Sequence, residues 1–416
     1  MYKNNKSLLF HLSAIFVVLA LVLSACGGAA TTAAPAATQP PAPTAAPVAT
    51  EPPPTEPPPT ETPVDWATVT SAAEGGGMEA LIAAAQAEGT LSTIALPHDW
   101  CNYGEMIETF KEKYGLEVNE LNPDAGSGDE IEAIKANKDN PGPQAPDVID
   151  VGPAFGPSSK DEGLLAAYKV ETWDSISLLK DDEGFWYGDY GGVLVFQVNS
   201  DLVKEIPQDW ADLLDPKYKG QVALAGDPRS SNQAAQTVYA ASLANGGSLD
   251  NVDPGLEYFK KLNDAGNLLP VIANSGTFAK GETPITFAWN YLGLAAKDTL
   301  AGNPNLEIVF PKSGSWGGYY VQGVSAYAPH PAAARLWQEF LYSDEGQLIW
   351  MRGYCVPARL GDMQQRGVIP DDLAAKMPAP GIMENATFPP VDKLSAARTA
   401  IKEKWDGVVG VNYAAP

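Results

Sequence analysis

Basic side chains are scarce in this 416-residue chain: 27 Lys and Arg stand against 51 Asp and Glu, a formal charge of −24. Gripping a phosphate backbone takes clustered Lys and Arg, so nucleic-acid binding is excluded. Cysteine and histidine are scarcer still, at three each. That removes zinc ribbons and small disulfide-stapled scaffolds. Several catalytic signatures are missing too: no Gly-x-Ser-x-Gly elbow, no His-Glu-x-x-His and no Gly-x-x-x-x-Gly-Lys-Ser/Thr loop. A Ser-His-Asp arrangement would have to use His98 or His330, and His330 lies in Pro329-His330-Pro331, the pattern of an exposed turn. No repeat is apparent, and no enzyme class or cofactor is indicated.

What is there begins with a secretion pattern. Lys3 and Lys6 precede a mainly apolar run from Leu8 to Leu23, closed by Leu23-Ser24-Ala25-Cys26. This ending resembles the bacterial lipobox, which implies a signal at residues 1–25 and lipid attachment at Cys26. The alternative is an uncleaved transmembrane anchor. Both place the rest of the chain outside the cytoplasmic membrane. Loss of residues 1–25 removes Lys3 and Lys6 and no acid, which takes the charge to −26. Residues 26–65 then form a tether: from 27 to 65, twelve of 39 residues are proline, none is aromatic, and EPPPT occurs twice. Such a segment cannot bury enough apolar area to offset chain entropy, and it favours extended polyproline II. Cys101 and Cys355 remain once Cys26 is set aside. Outside the membrane a disulfide is expected, with two buried inert thiols as the alternative.

All ten tryptophans fall from Trp66 onward, so residues 66–416 hold ample core material, enough for two domains. Helical periodicity is expected at Met78–Gln86 and at Tyr103–Tyr114, where Met106, Ile107 and Phe110 share a face. Further helices are expected near 231–244, 255–264, 331–343, 344–352 and 392–406. Apolar strands are expected at Leu91–Leu96, Leu116–Val118, Asp147–Val151, Gly192–Val198, Gln221–Leu224, Ile285–Ala288, Leu306–Phe310 and Tyr319–Tyr327. The alternation predicts an α/β architecture with largely parallel sheets.

Ligands of α/β sheets sit at the carboxyl ends of strands. Three clusters occupy such positions: His98-Asp99-Trp100-Cys101-Asn102-Tyr103, Gly226-Asp227-Pro228-Arg229-Ser230-Ser231, and Trp289-Asn290-Tyr291. Each has a structural reading: a turn at Asp227, a helix cap at Ser230, a core position for Trp289.

The stretches Tyr103–Val118, Asp209–Gly220 (DWADLLDPKYKG), Val309–Gly314 and Ala332–Leu341 resemble the solute-binding lipoproteins of ATP-binding cassette importers, of the polyamine- and ferric-iron-binding type. The resemblance implies a two-lobed, type II periplasmic-binding-protein-like α/β fold with a ligand cleft between lobes. Residues 66–192 and a return segment 318–416 would form one lobe, and 193–317 the other. It implies a monomer that captures a small solute and hands it to permease subunits, with the membrane reached through the lipid anchor.

In the spermidine/putrescine-binding relatives a Trp-x-x-Tyr stacks on the alkyl-ammonium chain, and Trp100-Cys101-Asn102-Tyr103 has that spacing. Trp289, Asn290 and Asp227 also match stretches of those relatives, with Asp227 as the ammonium-pairing carboxylate. The ferric relatives use adjacent tyrosines. Here that place reads Trp289-Asn290-Tyr291, and a tyrosine pair occurs later, at Tyr319-Tyr320. Arg229 and Ser231 at a helix start would suit an oxyanion. A polyamine-like cation is the expected ligand. Ferric iron, a phosphonate or other oxyanion, and a sugar stay open, as do a tethered hydrolase and a structural surface lipoprotein.

Overall fold

The computed structural model describes residues 64–140, 142–379 and 381–413. The expected signal segment, Cys26 and all but the last two tether residues lie outside the described residues.

Strand β1 (Thr90–Ile94) pairs in parallel with β2 (Glu117–Leu121), and the helix Tyr103–Tyr114 makes the crossover between them. That helix buries Tyr103, Met106, Ile107, Phe110 and Tyr114, one stripe at helical spacing. It stops at Gly115, whose φ of 68° closes the last turn.

The second sheet contains β3 (Val148–Val151), β4 (Leu165–Ala166), β5 (Tyr187–Asn199), β6 (Val222–Ala223), β7 (Ile285–Trp289), β8 (Leu306–Val309), β9 (Gly317–Ser325) and β10 (Val356–Pro357). Its order is β3-β9-β5-β7-β6, with β4 on β9 and both β8 and β10 on β5. Among the described residues only β6–β7 runs parallel here, and the other pairings are antiparallel. The expectation of largely parallel sheets is therefore corrected. Two long strands, β5 and β9, lie in the middle of the sheet, and antiparallel neighbours need no helical crossover.

The two ends of β5 serve different neighbours. All thirteen of its residues are buried. Its start pairs with β9 and β10, and from Leu194 onward it pairs with β7 and β8. The change of partners falls beside Gly191 and Gly192, and glycine is required there. A Cβ on Gly192 would lie 2.5 Å from Asn290 Oδ1, and one on Gly318 in β9 would lie 2.3 Å from the Trp289 ring. These glycines let the end of β7 close onto the crossing strands.

The helix Val391–Val408 buries Leu394, Ala397, Ile401 and Trp405 against the helices Asn232–Ala244 and Asp253–Asp264. Among the described residues no helix is long and apolar enough to cross a membrane.

Candidate functional site

Strand ends build the site, and glycines and a disulfide fix its loops. After β1 the chain turns through Pro97–Asn102, with Cys101 and Asn102 both at positive φ (48° and 66°). Cys101 is joined to Cys355 in a disulfide, with Cα atoms 5.8 Å apart. The turn delivers Trp100 to one side of the cluster, where its indole N–H donates to the Tyr190 hydroxyl at 2.7 Å. Tyr103 opens the following helix and is fully buried.

Aromatic rings from five segments converge. Tyr190 of β5 stacks on Tyr320 of β9, with centroids 5.7 Å apart and planes at 16°. Trp100 stands edge-on to Tyr320 at 5.4 Å and to Tyr291 at 6.0 Å. Trp289, the last residue of β7, stacks on Tyr291 and meets Tyr320 edge-on. Trp350 backs Tyr103 and Tyr190, each at 4.9 Å.

A carboxylate lies at the centre. Asp150 of β3 accepts, on Oδ2, the hydroxyls of Tyr103 (2.8 Å) and Tyr190 (2.6 Å). Its other oxygen is buried and has no hydrogen-bond partner, and the Tyr291 hydroxyl and Trp289 indole N–H are in the same condition. Burial pushes the Asp150 carboxyl up from its ordinary range, only partly offset by the two phenols. Burial likewise raises the Tyr103, Tyr190 and Tyr291 phenols. All three stay protonated, and Tyr103 and Tyr190 donate to Asp150. The arrangement sets one unpartnered carboxylate oxygen among aromatic rings, the pairing of groups that an ammonium ion takes.

Of the residues singled out in the sequence, Trp100, Tyr103, Trp289, Tyr291 and Tyr320 are thus brought together. Asn290 is adjacent but occupied: its Oδ1 accepts the Val193 N–H at 2.8 Å and ties β7 to β5. Asp227 and Arg229 are occupied with each other. The Arg229 Nε and Nη2 donate to both Asp227 oxygens, and Nη1 reaches Asp406 at 2.7 Å. The expected ammonium partner and the expected oxyanion partner therefore form an internal ion pair. Ser231, not Ser230, caps the next helix, accepting from Ala234 N–H. His330 does not stand free in its turn, because its Nδ1 lies 2.8 Å from buried Asp147.

Sequence reasoning missed Asp150, Asp189, Tyr190 and Gln322. The available signal was an acid inside Val148-Ile149-Asp150-Val151, since a charge in a buried strand demands an explanation.

β5 passes from one set of neighbours to another along its length, and the fold is that of type II periplasmic binding proteins. The model of the bacterial extracellular solute-binding protein family matches residues 144–380, and the chain belongs to that family. A Haemophilus influenzae protein described only as uncharacterized is 33% identical over 263 residues, 59% of this chain and 71% of that one. A putative 2-aminoethylphosphonate-binding periplasmic protein of Salmonella typhimurium is 27% identical, over 60% of this chain and 72% of its own length. Among solved structures, the periplasmic binding protein AfuA of Actinobacillus pleuropneumoniae, with fructose-6-phosphate bound, aligns with a TM-score of 0.60 at 24% identity. The alignment covers 77% of this chain and 98% of that one, which shows the shared fold. The protein is a bacterial extracellular solute-binding protein.

Proposed function

We propose that the solute is a small organic cation, held between a lobe of residues 66–192 with 318–416 and a lobe of residues 193–317. One observation carries this reading: Asp150, fully buried among aromatic rings, keeps one oxygen without a partner. An ammonium N–H supplies the missing donor, and the rings of Trp100, Tyr190, Tyr291 and Tyr320 supply faces worth roughly 0.5–2 kcal/mol each. The named ligand of the Salmonella relative also carries an amino group. Its phosphonate would need a free cation, and Arg229 is already engaged by Asp227 and Asp406. Calorimetric titration with putrescine, spermidine, choline and 2-aminoethylphosphonate tests the reading. An amine is expected to bind in the micromolar range or tighter. Millimolar binding by every amine, beside tight binding of a sugar phosphate or ferric complex, overturns it.

The protein works as a monomer, in this reading, held to the membrane by lipid on Cys26 and presenting the closed lobes to permease subunits. A Cys26→Ser chain should keep its signal or lose membrane retention, because each buried methylene of an acyl anchor adds about 0.8 kcal/mol. Fractionation and N-terminal sequencing check this. Normal processing with unchanged retention removes the anchor from the account.

A further inference from the structure

Three buried carboxylates underlie the aromatic cluster, and none has a basic partner. Glu130 Oε2 accepts the Asp150 N–H at 2.9 Å. Asp150 is linked to Asp189 through a hydrogen-bonded chain. The Tyr103 hydroxyl donates to Asp150, and Gln322 Nε2 donates both to Tyr103 (2.9 Å) and to Asp189 Oδ2 (2.7 Å). Asp189 Oδ1 accepts the Tyr190 N–H at 2.7 Å, so both its oxygens are satisfied.

The groups that face this chain are acidic or phenolic from every side. Glu130 comes from the helix Ser127–Asn137, Tyr103 from Tyr103–Tyr114, Asp189 and Tyr190 from β5, Tyr291 from Asn290–Leu300, and Tyr320 from β9. Tyr342, after the helix Pro331–Leu341, completes the set. Among the described residues no Lys, Arg or His forms an ion pair with Glu130, Asp150 or Asp189. Uncompensated carboxylates in such a place are neutralised rather than buried charged. Burial raises both aspartates, and the charge of Asp150 raises Asp189 further. The free position is Asp150 Oδ1, which is buried and has no hydrogen-bond partner.

We propose that the site takes up its cation in exchange for a proton held by Asp150 at its unpartnered oxygen, so that capture is strong at neutral pH and weak in acid. The proposal rests on the cation reading above. In the exchange the O–H bond of the carboxylic acid breaks, the proton leaves to solvent, and an ammonium N–H takes its place at the freed oxygen. For each ammonium group that takes the place of a proton the charge at that oxygen stays constant, which removes most of the penalty for burying it.

Putrescine titrated from about pH 5.5 to about pH 8, in buffers of different ionisation enthalpy, reads the exchange. Affinity should fall by up to about tenfold per pH unit on the acid side, with up to one proton released per putrescine bound. Asp189→Asn keeps one of the two acceptor oxygens and removes the neighbouring carboxyl, so it should shift the profile toward lower pH. Putrescine binding whose affinity ignores pH and releases no proton overturns the exchange and leaves the cation site standing. Absence of putrescine binding at every pH removes both.

Discussion

Asp150→Asn should weaken cation binding by about thirtyfold or more without making the protein less stable at neutral pH. Removing one partner of a buried hydrogen-bonded charge pair costs roughly 2–5 kcal/mol of binding. Losing one ring, as in Trp100→Ala, removes only the roughly 0.5–2 kcal/mol of its cation–π contact together with some packing. The aspartate therefore outranks any single aromatic. Stability moves the other way because of where the proton sits. Burial raises the Asp150 and Asp189 carboxyls in the folded protein, while the unfolded chain releases those protons near pH 4. Between the two pKa values the folded state holds more protons, so stability is full in acid and falls as pH rises through that window. Asparagine keeps an oxygen for the Tyr103 and Tyr190 hydroxyls and carries nothing to ionise, so the variant should lose part of this fall. Calorimetry for binding, and thermal unfolding at acid and at slightly alkaline pH, measure the two effects. Unchanged cation affinity in Asp150→Asn would place the ligand elsewhere.

Local signals made much of the fold legible. The stripe Met106, Ile107, Phe110 placed the helix Tyr103–Tyr114 to the residue, because periodicity and the Gly115 stop agree. Trp100, Tyr103, Trp289 and Tyr291 were legible as site candidates because they follow strands. Strand direction was not legible. Composition does not record that β5 and β9 run through the centre of one sheet, and alternation with helices points to parallel neighbours instead. The start of β5 was hidden by Gly188, Gly191 and Gly192, which depress strand propensity while serving close approach. Asp227 stood out as an acid at a strand end, yet Arg229 two residues on is its partner, a local pairing the motif already contained. Asp150 escaped notice because its partners, Tyr103 and Tyr190, lie 47 and 40 residues away in sequence. Only the packed sheet brings them together.

Opening the Cys101–Cys355 disulfide should lower stability by about 2–5 kcal/mol and weaken cation binding as well. The stability loss follows from the length of the closed loop, since the two cysteines are 254 residues apart in sequence. The binding loss follows from local backbone. Cys101 and Asn102 both hold left-handed φ values that non-glycine residues adopt only when their surroundings impose them. Here the surroundings are the disulfide, the Asn102 side chain donating to the Ile349 carbonyl, and Gly353, where a Cβ would come 2.8 Å from the Cys101 carbonyl carbon. Trp100 is the residue just before this strained pair, and its N–H bond to Tyr190 joins it to the Asp150 network. In a Cys101→Ala/Cys355→Ala protein the turn can relax toward ordinary φ, and Trp100 is no longer held against Tyr320 and Tyr291. Its affinity for the cation should drop by several-fold, within the range of losing one ring contact. Denaturant unfolding, paired with titration of the same variant, separates the two consequences. A large stability loss with unchanged affinity would show that the turn holds Trp100 without the disulfide. Two freely alkylated thiols in the unreduced wild-type protein would remove the bond itself from the account.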